Sequence, residues 1–163
     1  MPVIDPKFRR KLGQYIVQCA LAFVFIAGLV AFFSAVAEAV IVAALGSSAF
    51  IVFAMPHRVT ALPRRLVGGH LLCLGIGLAC SVPLRWGWLA GDGLGFCVVA
   101  GASVSLAILG MVITNTEHPP AAGNALAFAV LEVGTLHVVV TVGAVMLMAL
   151  VRRLLRGWLQ DLV

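Results

Sequence analysis

The chain has 163 residues, 63% of them hydrophobic and 10% charged, with a mean hydropathy of +1.14. A soluble domain carries about a quarter charged residues, so lipid is the expected solvent for most of the surface, and one compact membrane domain without a second soluble one is expected over these residues. The formal charge of +5 is not a nucleic-acid footprint, because the basic residues form three short clusters at segment ends, where positive charge sets membrane orientation.

Residues 1–11 are short and basic, like the start of a signal peptide. The apolar run that follows, 15–37, is longer than the roughly 7–15 residues of a signal core, so a retained first span over about 14–37 is expected, with Glu38 at its outer end. A second run, 39–55, stops at Pro56 and contains Gly46-Ser47-Ser48. Such a cluster either breaks a helix, with Ser47 or Ser48 capping the second half, or lets two helices pack closely. The loop at 57–65 carries Arg58, Arg64 and Arg65, and a third span over 66–84 is entered through Gly68-Gly69-His70. Trp86 and Trp88 mark the next turn as interfacial. A fourth span covers 94–113, an apolar stretch of fifteen residues covers 119–133, and a last run, 134–150, reaches Arg152, Arg153 and Arg156. Cys19, Cys73, Cys80 and Cys97 all lie in apolar runs and read as small buried hydrophobes. Cys73 and Cys80, seven apart, share a helix face.

Charge placement predicts the topology. Lys7, Arg9, Arg10 and Lys11 hold the N-terminus in the cytoplasm, the loop arginines hold 57–65 there, and the basic tail holds the C-terminus there. An even number of crossings must separate that loop from the tail, so the short 119–133 segment has to cross rather than re-enter. The expected fold is an all-α polytopic bundle, one membrane domain over 1–163 with spans at about 14–37, 39–55, 66–84, 94–113, 119–133 and 134–150. The short helix covers only ~22 Å against a hydrocarbon core of about 30 Å. One end therefore lies within the membrane, and the polar cluster points to the His118 end.

Residues 114–126 are the one long polar, proline-marked interruption in the apolar second half of the chain. Non-helical backbone at membrane depth is tolerated where protein buries it or where it lines a watery cavity. Pro119-Pro120 suits the start of a helix, and free first-turn amides at the positive end of its dipole would make an anion site. His118 offers a donor that titrates near neutrality. Thr114, Asn115, Thr116 and Asn124 offer hydroxyl and amide donors. Each also has a bland reading, as a cap or a turn-shaping hydrogen bond. Glu117 argues against a permanently cationic trap and is expected to pair with an arginine of the 57–65 loop or with His118. His70 is a second candidate lining residue, behind two glycines that let another backbone come close. His57 reads as interfacial. Glu132 and His137 fall near the outer helix ends, where snorkelling or mutual pairing lowers their cost. The interruptions at Gly46-Ser48 and 114–120 each follow a Leu-Gly pair, and paired interruptions point to a transporter binding site.

His118-Pro119-Pro120, preceded by threonines and followed by small residues and glycine, resembles the signature of the HPP family of small integral membrane proteins. A second stretch agrees: Ala44-Leu45-Gly46-Ser47-Ser48-Ala49, then Pro56-His57, Pro63-Arg64 and Gly68-Gly69-His70-Leu71-Leu72. The resembling region covers about residues 40–129. It departs from the family pattern at Ala121-Ala122-Gly123, where glycine usually follows the first alanine directly. Members have been connected with nitrite transport in plastids and cyanobacteria, so the resemblance implies a carrier or channel for a small inorganic anion.

The expectation is such a transporter in a bacterial inner membrane, passive or proton-linked. Its site residues are His118, Asn115, Thr114, Thr116, Pro119, Pro120, Asn124, His70, Ser47 and Ser48. The partners expected are the anion, the lipid bilayer and further copies of the chain, with no nucleic acid, cofactor or metal. A cation pathway through Glu117 and Glu132 is one alternative, and a non-transporting membrane subunit is another. An intramembrane enzyme is disfavoured: no His-x-x-x-His, Glu-Glu or Gly-x-Ser-x-Gly arrangement occurs, which leaves only Ser47 with His70 or His118 as a conceivable spatial pair.

Overall fold

Long strings of Ala, Leu, Val and Gly with hardly a charge satisfy their backbone amides within their own segment, so in lipid they become helices. The computed structural model describes residues 8–32, 39–89 and 93–162. These form α1 (Phe8–Phe32), α2 (Ala39–Ala54), α3 (Pro63–Arg85), α4 (Gly93–Thr114), α5 (Ala121–Val130) and α6 (Thr135–Leu155), with a 3₁₀ turn at Val59–Ala61. The described residues contain no strand, and the fold is the expected helical membrane bundle. Four helices are long and apolar enough to cross a membrane: α1 over Lys11–Gly28, and α3, α4 and α6 over their full lengths. Lys7, Glu38 and the last residues expected of the first span lie outside the described residues.

Helix ends follow their residues. α1 begins earlier than expected, and Lys11, at φ −120 and ψ 18, kinks its basic first turn away from the apolar run. α2 runs unbroken through Gly46-Ser47-Ser48. The Ser47 and Ser48 hydroxyls donate to the carbonyls of Ala43 and Ala44, each at 3.0 Å, so neither serves as a mid-helix cap. α3 starts at Pro63, whose missing N–H costs nothing at the first position. α4 stops at Asn115, which takes a left-handed φ of 54. Thr116 N–H then reaches Met111 O at 2.9 Å and Asn115 N–H reaches Val112 O at 3.3 Å, a Schellman termination. α6 continues past the expected end through Arg152 and Arg153.

α5 departs most from expectation. It is helical over ten residues, or ~15 Å, rather than fifteen. It is short at both ends, since 115–120 before it and 131–134 after it are non-helical. Even so, α5 with these flanks runs the length of the bundle. Glu117 meets Arg65 at one end, and Val133 O accepts from Arg85 Nη2 at 3.2 Å at the other. That is a passage between two ends and not a hairpin.

One end of the bundle is arginine-rich. There Arg152 donates to Pro56 O at 2.6 and 3.1 Å, and the tail closes over α2 through Leu162 N–H to Ala54 O at 2.9 Å. The buried Gln18 amide of α1 donates to Phe53 O and Gln160 O, and Tyr15 donates to Leu162 O. The opposite end carries Trp86 and Trp88, packed edge to face at 5.2 Å. Between the ends, Leu45, Leu66, Phe128 and Met148 fill a core shared by α2, α3, α5 and α6. α3 packs on α4, α5 and α6. Its approach to α5 needs Gly77, where a Cβ would stand 2.6 Å from Ala125 O and 2.9 Å from Phe128 Cβ. Leu94, Ile113 and Val112 leave the outer face of α4 apolar and uncovered, as lipid contact requires. Of the cysteines only Cys73 is buried; Cys80 is half-buried, and Cys19 and Cys97 are exposed on helix faces, contrary to the expectation of four buried thiols.

Candidate functional site

Four separate segments send one polar side chain each to the same place beneath the arginine-rich end. α2 supplies Ser48, α3 His70, the non-helical stretch after α4 His118, and α5 Asn124. None is more than 2% exposed. What brings α3 close enough is the absence of side chains at Gly68 and Gly69. A Cβ on Gly69 would lie 2.8 Å from Thr116 O and 2.9 Å from His118 Cβ, and one on Gly68 would lie 2.9 Å from Thr116 Cγ2.

The four side chains form one hydrogen-bonded chain. His118 Nδ1 lies 2.9 Å from Thr60 O, in the 3₁₀ turn. Its Nε2 lies 2.9 Å from Ser48 Oγ, which is also 2.9 Å from His70 Nε2. His70 Nδ1 lies 2.9 Å from Asn124 Nδ2. The two imidazole rings stand 5.1 Å apart, tilted by 58°. A carbonyl can only accept, so His118 Nδ1 carries a hydrogen and, in the neutral ring, Nε2 accepts. The Asn124 amide nitrogen can only donate, so His70 Nδ1 accepts and His70 Nε2 carries the hydrogen. Ser48 Oγ then receives from His70, and its one hydrogen is shared between Ala44 O at 3.0 Å and His118 Nε2 at 2.9 Å. The neutral chain is polarised in one direction, and its two histidines hold opposite tautomers.

Two polar atoms near this chain have no partner: Asn124 Oδ1 and Thr141 Oγ1. Thr141, from α6, lines a cavity of about 10 Å³ beside the His70 ring with Val67, Leu71, Leu74, Val142, Val145 and Met146. Buried oxygens left unpaired are costly, so their presence beside the histidines is not explained by packing economy.

Charge enters only at the rim. Arg65 forms an ion pair with Glu117 and donates to Asn115 Oδ1 at 2.6 Å, and Arg64 donates to Thr114 O at 3.3 Å. Glu117 therefore pairs with the loop, as the sequence indicates. Thr114 and Thr116 share a hydroxyl–hydroxyl contact of 2.7 Å, and Thr114 also donates back to Gly110 O. Thr114, Asn115 and Thr116 thus belong to the arginine rim and not to the buried chain. Ser47, Pro119 and Pro120 line an open cleft of about 430 Å³ with Phe50 and Ile51, one residue along from Ser48 and His118.

The expected anion site at the start of the short helix is not what the structure builds. The N–H groups of Ala121, Ala122 and Gly123 each reach back three residues, to the carbonyls of His118, Pro119 and Pro120 at 2.9, 3.1 and 3.1 Å. A helix terminus binds anions through unpaired amides, and these three are paired. Nor do Glu132 and His137 form a pair: His137 Nδ1 accepts from Gly134 N–H at 3.1 Å. Glu132 lines a cavity of about 600 Å³ at the tryptophan end with Arg85, Phe96 and Ala129.

The family model "HPP, transmembrane region" matches residues 7–158, nearly the whole chain. The chain belongs to the HPP transmembrane family. A transmembrane protein of Dictyostelium discoideum is 34% identical over 87 residues, which is 53% of this chain and 29% of that protein. A second transmembrane protein of the same organism is 35% identical over 80 residues, 49% of this chain and 24% of its own length. The chain thus matches under a third of either relative. No solved structure matches.

In this HPP-family chain the buried cluster uses four residues marked by the sequence (Ser48, His70, His118 and Asn124), and Ser48 does more than the two readings of its segment, a helix break or close packing, assign to it. Three further residues carry weight that the sequence did not indicate. Thr60 contributes a backbone carbonyl, which has no residue signature. Arg152 reads as a topology charge but is 4% exposed and clamps the end of α2. Thr141 is one threonine in an apolar run, and nothing around it signals that it borders His70.

Proposed function

We infer that the chain is a membrane transporter or channel for a small inorganic anion, with nitrite the substrate that the family resemblance suggests. Membership in a transmembrane family supports the membrane setting. The observation that carries the reading is the convergence of two histidines on Ser48 Oγ at 2.9 Å each, inside an otherwise apolar bundle. Ionisable groups within a membrane are expensive and mark solute or proton pathways. The arginine rim gathers anions, and the adjoining cleft at Ser47 and Pro119-Pro120 admits a small solute to within one residue of the cluster. Because the ring N–H groups and the Ser48 hydroxyl are already used within the neutral cluster, an anion is held more firmly when a proton arrives with it. This favours a proton-linked mechanism over a passive one. The orientation follows the positive clusters: both termini on the cytoplasmic side of a bacterial inner membrane, with several copies of the chain associating in the bilayer.

Glu117 is occupied by Arg65, and Glu132 shares its cavity with Arg85. With Glu117 held in an ion pair, the pair of carboxylates on which the cation pathway relies is incomplete, which weighs against it. A second reading draws on the order Ser48–His70–Asn124, which has the connectivity of a nucleophile, a base and an orienting amide. Ser48 is 0% exposed, so no substrate carbonyl reaches it; labelling by a fluorophosphonate would reverse that judgement. The test of the main reading is nitrite entry into liposomes holding the purified chain, at alkaline pH to suppress leakage of the free acid. Entry above protein-free vesicles that falls at least tenfold in His118→Ala supports it. Entry equal to protein-free vesicles moves the chain to the class of non-transporting subunits.

A further inference from the structure

We propose that His70, Ser48 and His118 form a proton relay, with the Asn124 amide as the hydrogen-bond partner that turns at its interior end, running from the interior of the bundle to the Thr60 turn at the arginine-rich end. It rests on the transport reading for the use made of the proton, while its geometry stands alone. A relay needs an unbroken series of groups that both donate and accept. The three ring and hydroxyl members meet at 2.9 Å, sealed from solvent.

The proton count closes. A proton arriving at His70 Nδ1 makes that ring an imidazolium. The ring passes its Nε2 hydrogen to Ser48 Oγ, and Ser48 passes its own hydrogen to His118 Nε2. His118 is now the imidazolium and releases its Nδ1 hydrogen to water at the arginine-rich end, Thr60 O holding the N–H in place without itself taking the proton. One proton has entered and one has left, with no oxidant and no covalent intermediate. His70 ends with its hydrogen on Nδ1, and the unpartnered Asn124 Oδ1 becomes its acceptor once the amide turns over. The chain resets when both rings regain their starting tautomers by proton exchange with water and the Ser48 hydroxyl and the Asn124 amide turn back. The buried oxygen without a partner is thereby explained: each orientation of the Asn124 amide serves one protonation state.

Few charges compete for the proton. α2, α5 and the 3₁₀ turn contain no Asp, Glu, Lys, Arg, His or Cys. α4 contributes only Cys97, and α6 only His137, Arg152 and Arg153 near its two ends. The groups on the histidines' own segments are Arg64, Arg65, Cys73, Cys80 and Arg85 of α3, and Glu117 beside His118, paired with Arg65. At the far end the 600 Å³ cavity reaches down α5 to Ala129. That is five residues from Asn124, or ~7.5 Å, about two to three hydrogen-bond lengths.

The test uses the full chain in liposomes holding a trapped pH-sensitive dye, with a potassium diffusion potential and gluconate as the bulk anion, so that no nitrite is present. Wild type is expected to acidify several-fold faster than protein-free vesicles. Ser48→Ala is expected to fall to the protein-free rate, and Ser48→Thr, which keeps the hydroxyl, to retain most of the flux. If Ser48→Ala does not purify as a monodisperse species, His70→Gln takes its place, since an amide keeps a donor and an acceptor but relays no proton. Proton flux in wild type at the protein-free rate overturns the relay, even where nitrite entry is intact. Undiminished proton flux in a folded Ser48→Ala or His70→Gln also overturns it. Proton flux lost in the variants, with no nitrite entry in wild type, supports the relay and removes the anion reading.

Discussion

Gly69→Ala tests the contact on which the cluster depends. The added methyl would stand 2.8 Å from Thr116 O, 2.9 Å from His118 Cβ and 3.5 Å from Met111 Sδ. Two of these neighbours are a backbone carbonyl and the Cβ of a residue held by both ring nitrogens, so neither yields as the end of a flexible side chain would. Relief requires α3 to withdraw from the 115–120 stretch by several tenths of an ångström. Forced overpacking of this kind costs about 1–3 kcal/mol. The same helix supplies the control. Gly75 is exposed, with nothing within 4 Å of its would-be Cβ. Gly75→Ala is expected to be neutral or to gain up to about 1 kcal/mol from helix propensity. The assay is thermal unfolding of both variants in one detergent, with wild type alongside. Gly69→Ala should unfold well below wild type and Gly75→Ala at or above it. Equal transitions for the two variants would refute the claim that bare backbone at Gly69 lets His118 reach its place.

Other outcomes follow from named contacts. Arg152→Ala removes two hydrogen bonds from a charged donor to Pro56 O and should cost roughly 2–3 kcal/mol. A transition unchanged from wild type would show that the clamp on α2 does not matter. Thr141→Val removes a buried hydroxyl without a partner and should leave stability equal or raise it by about 1 kcal/mol; clear destabilisation would reveal a bond to that hydroxyl. Arg65→Ala breaks a rim pair that water reaches, so about 1 kcal/mol or less is expected in the same assay. A loss above about 3 kcal/mol would mean that the rim holds the bundle together.

The sequence exposed as much of this site as local chemistry can carry. An interruption of polar residues and prolines in an apolar chain has to be buried or wet, and that pointed to His118 and Asn124. Paired glycines before His70 indicated a close backbone approach, and the missing Cβ atoms at Gly68 and Gly69 meet the segment that carries His118. Glu117 needed a cation, and the loop offered one. What stayed hidden depends on distance along the chain. Ser48 lies 22 residues from His70 and 70 from His118, so its shared bond is a property of the packed bundle. The serines left a helix break open beside close packing because their preference for capping is local. Their bonds to carbonyls four residues back hide that preference inside an intact helix. Pro119-Pro120 pointed to a helix with open amides, but its first turn closes on itself through bonds three residues back. The short helix is trimmed at its far end too, where 131–134 runs on unwound to carry Val133 O to Arg85, a tertiary contact with no local signal.

The most direct test of the central arrangement is ¹⁵N nuclear magnetic resonance of the two imidazoles in lipid, with His57→Gln and His137→Gln introduced to remove the other ring signals. The structure predicts opposite neutral tautomers, hydrogen on Nδ1 in His118 and on Nε2 in His70, set by Thr60 O and the Asn124 amide, with the Nε2 signal of each ring shifting in Ser48→Ala. The same tautomer in both rings, or spectra that do not respond to loss of the Ser48 hydroxyl, would contradict the shared hydrogen bond on which the account is built.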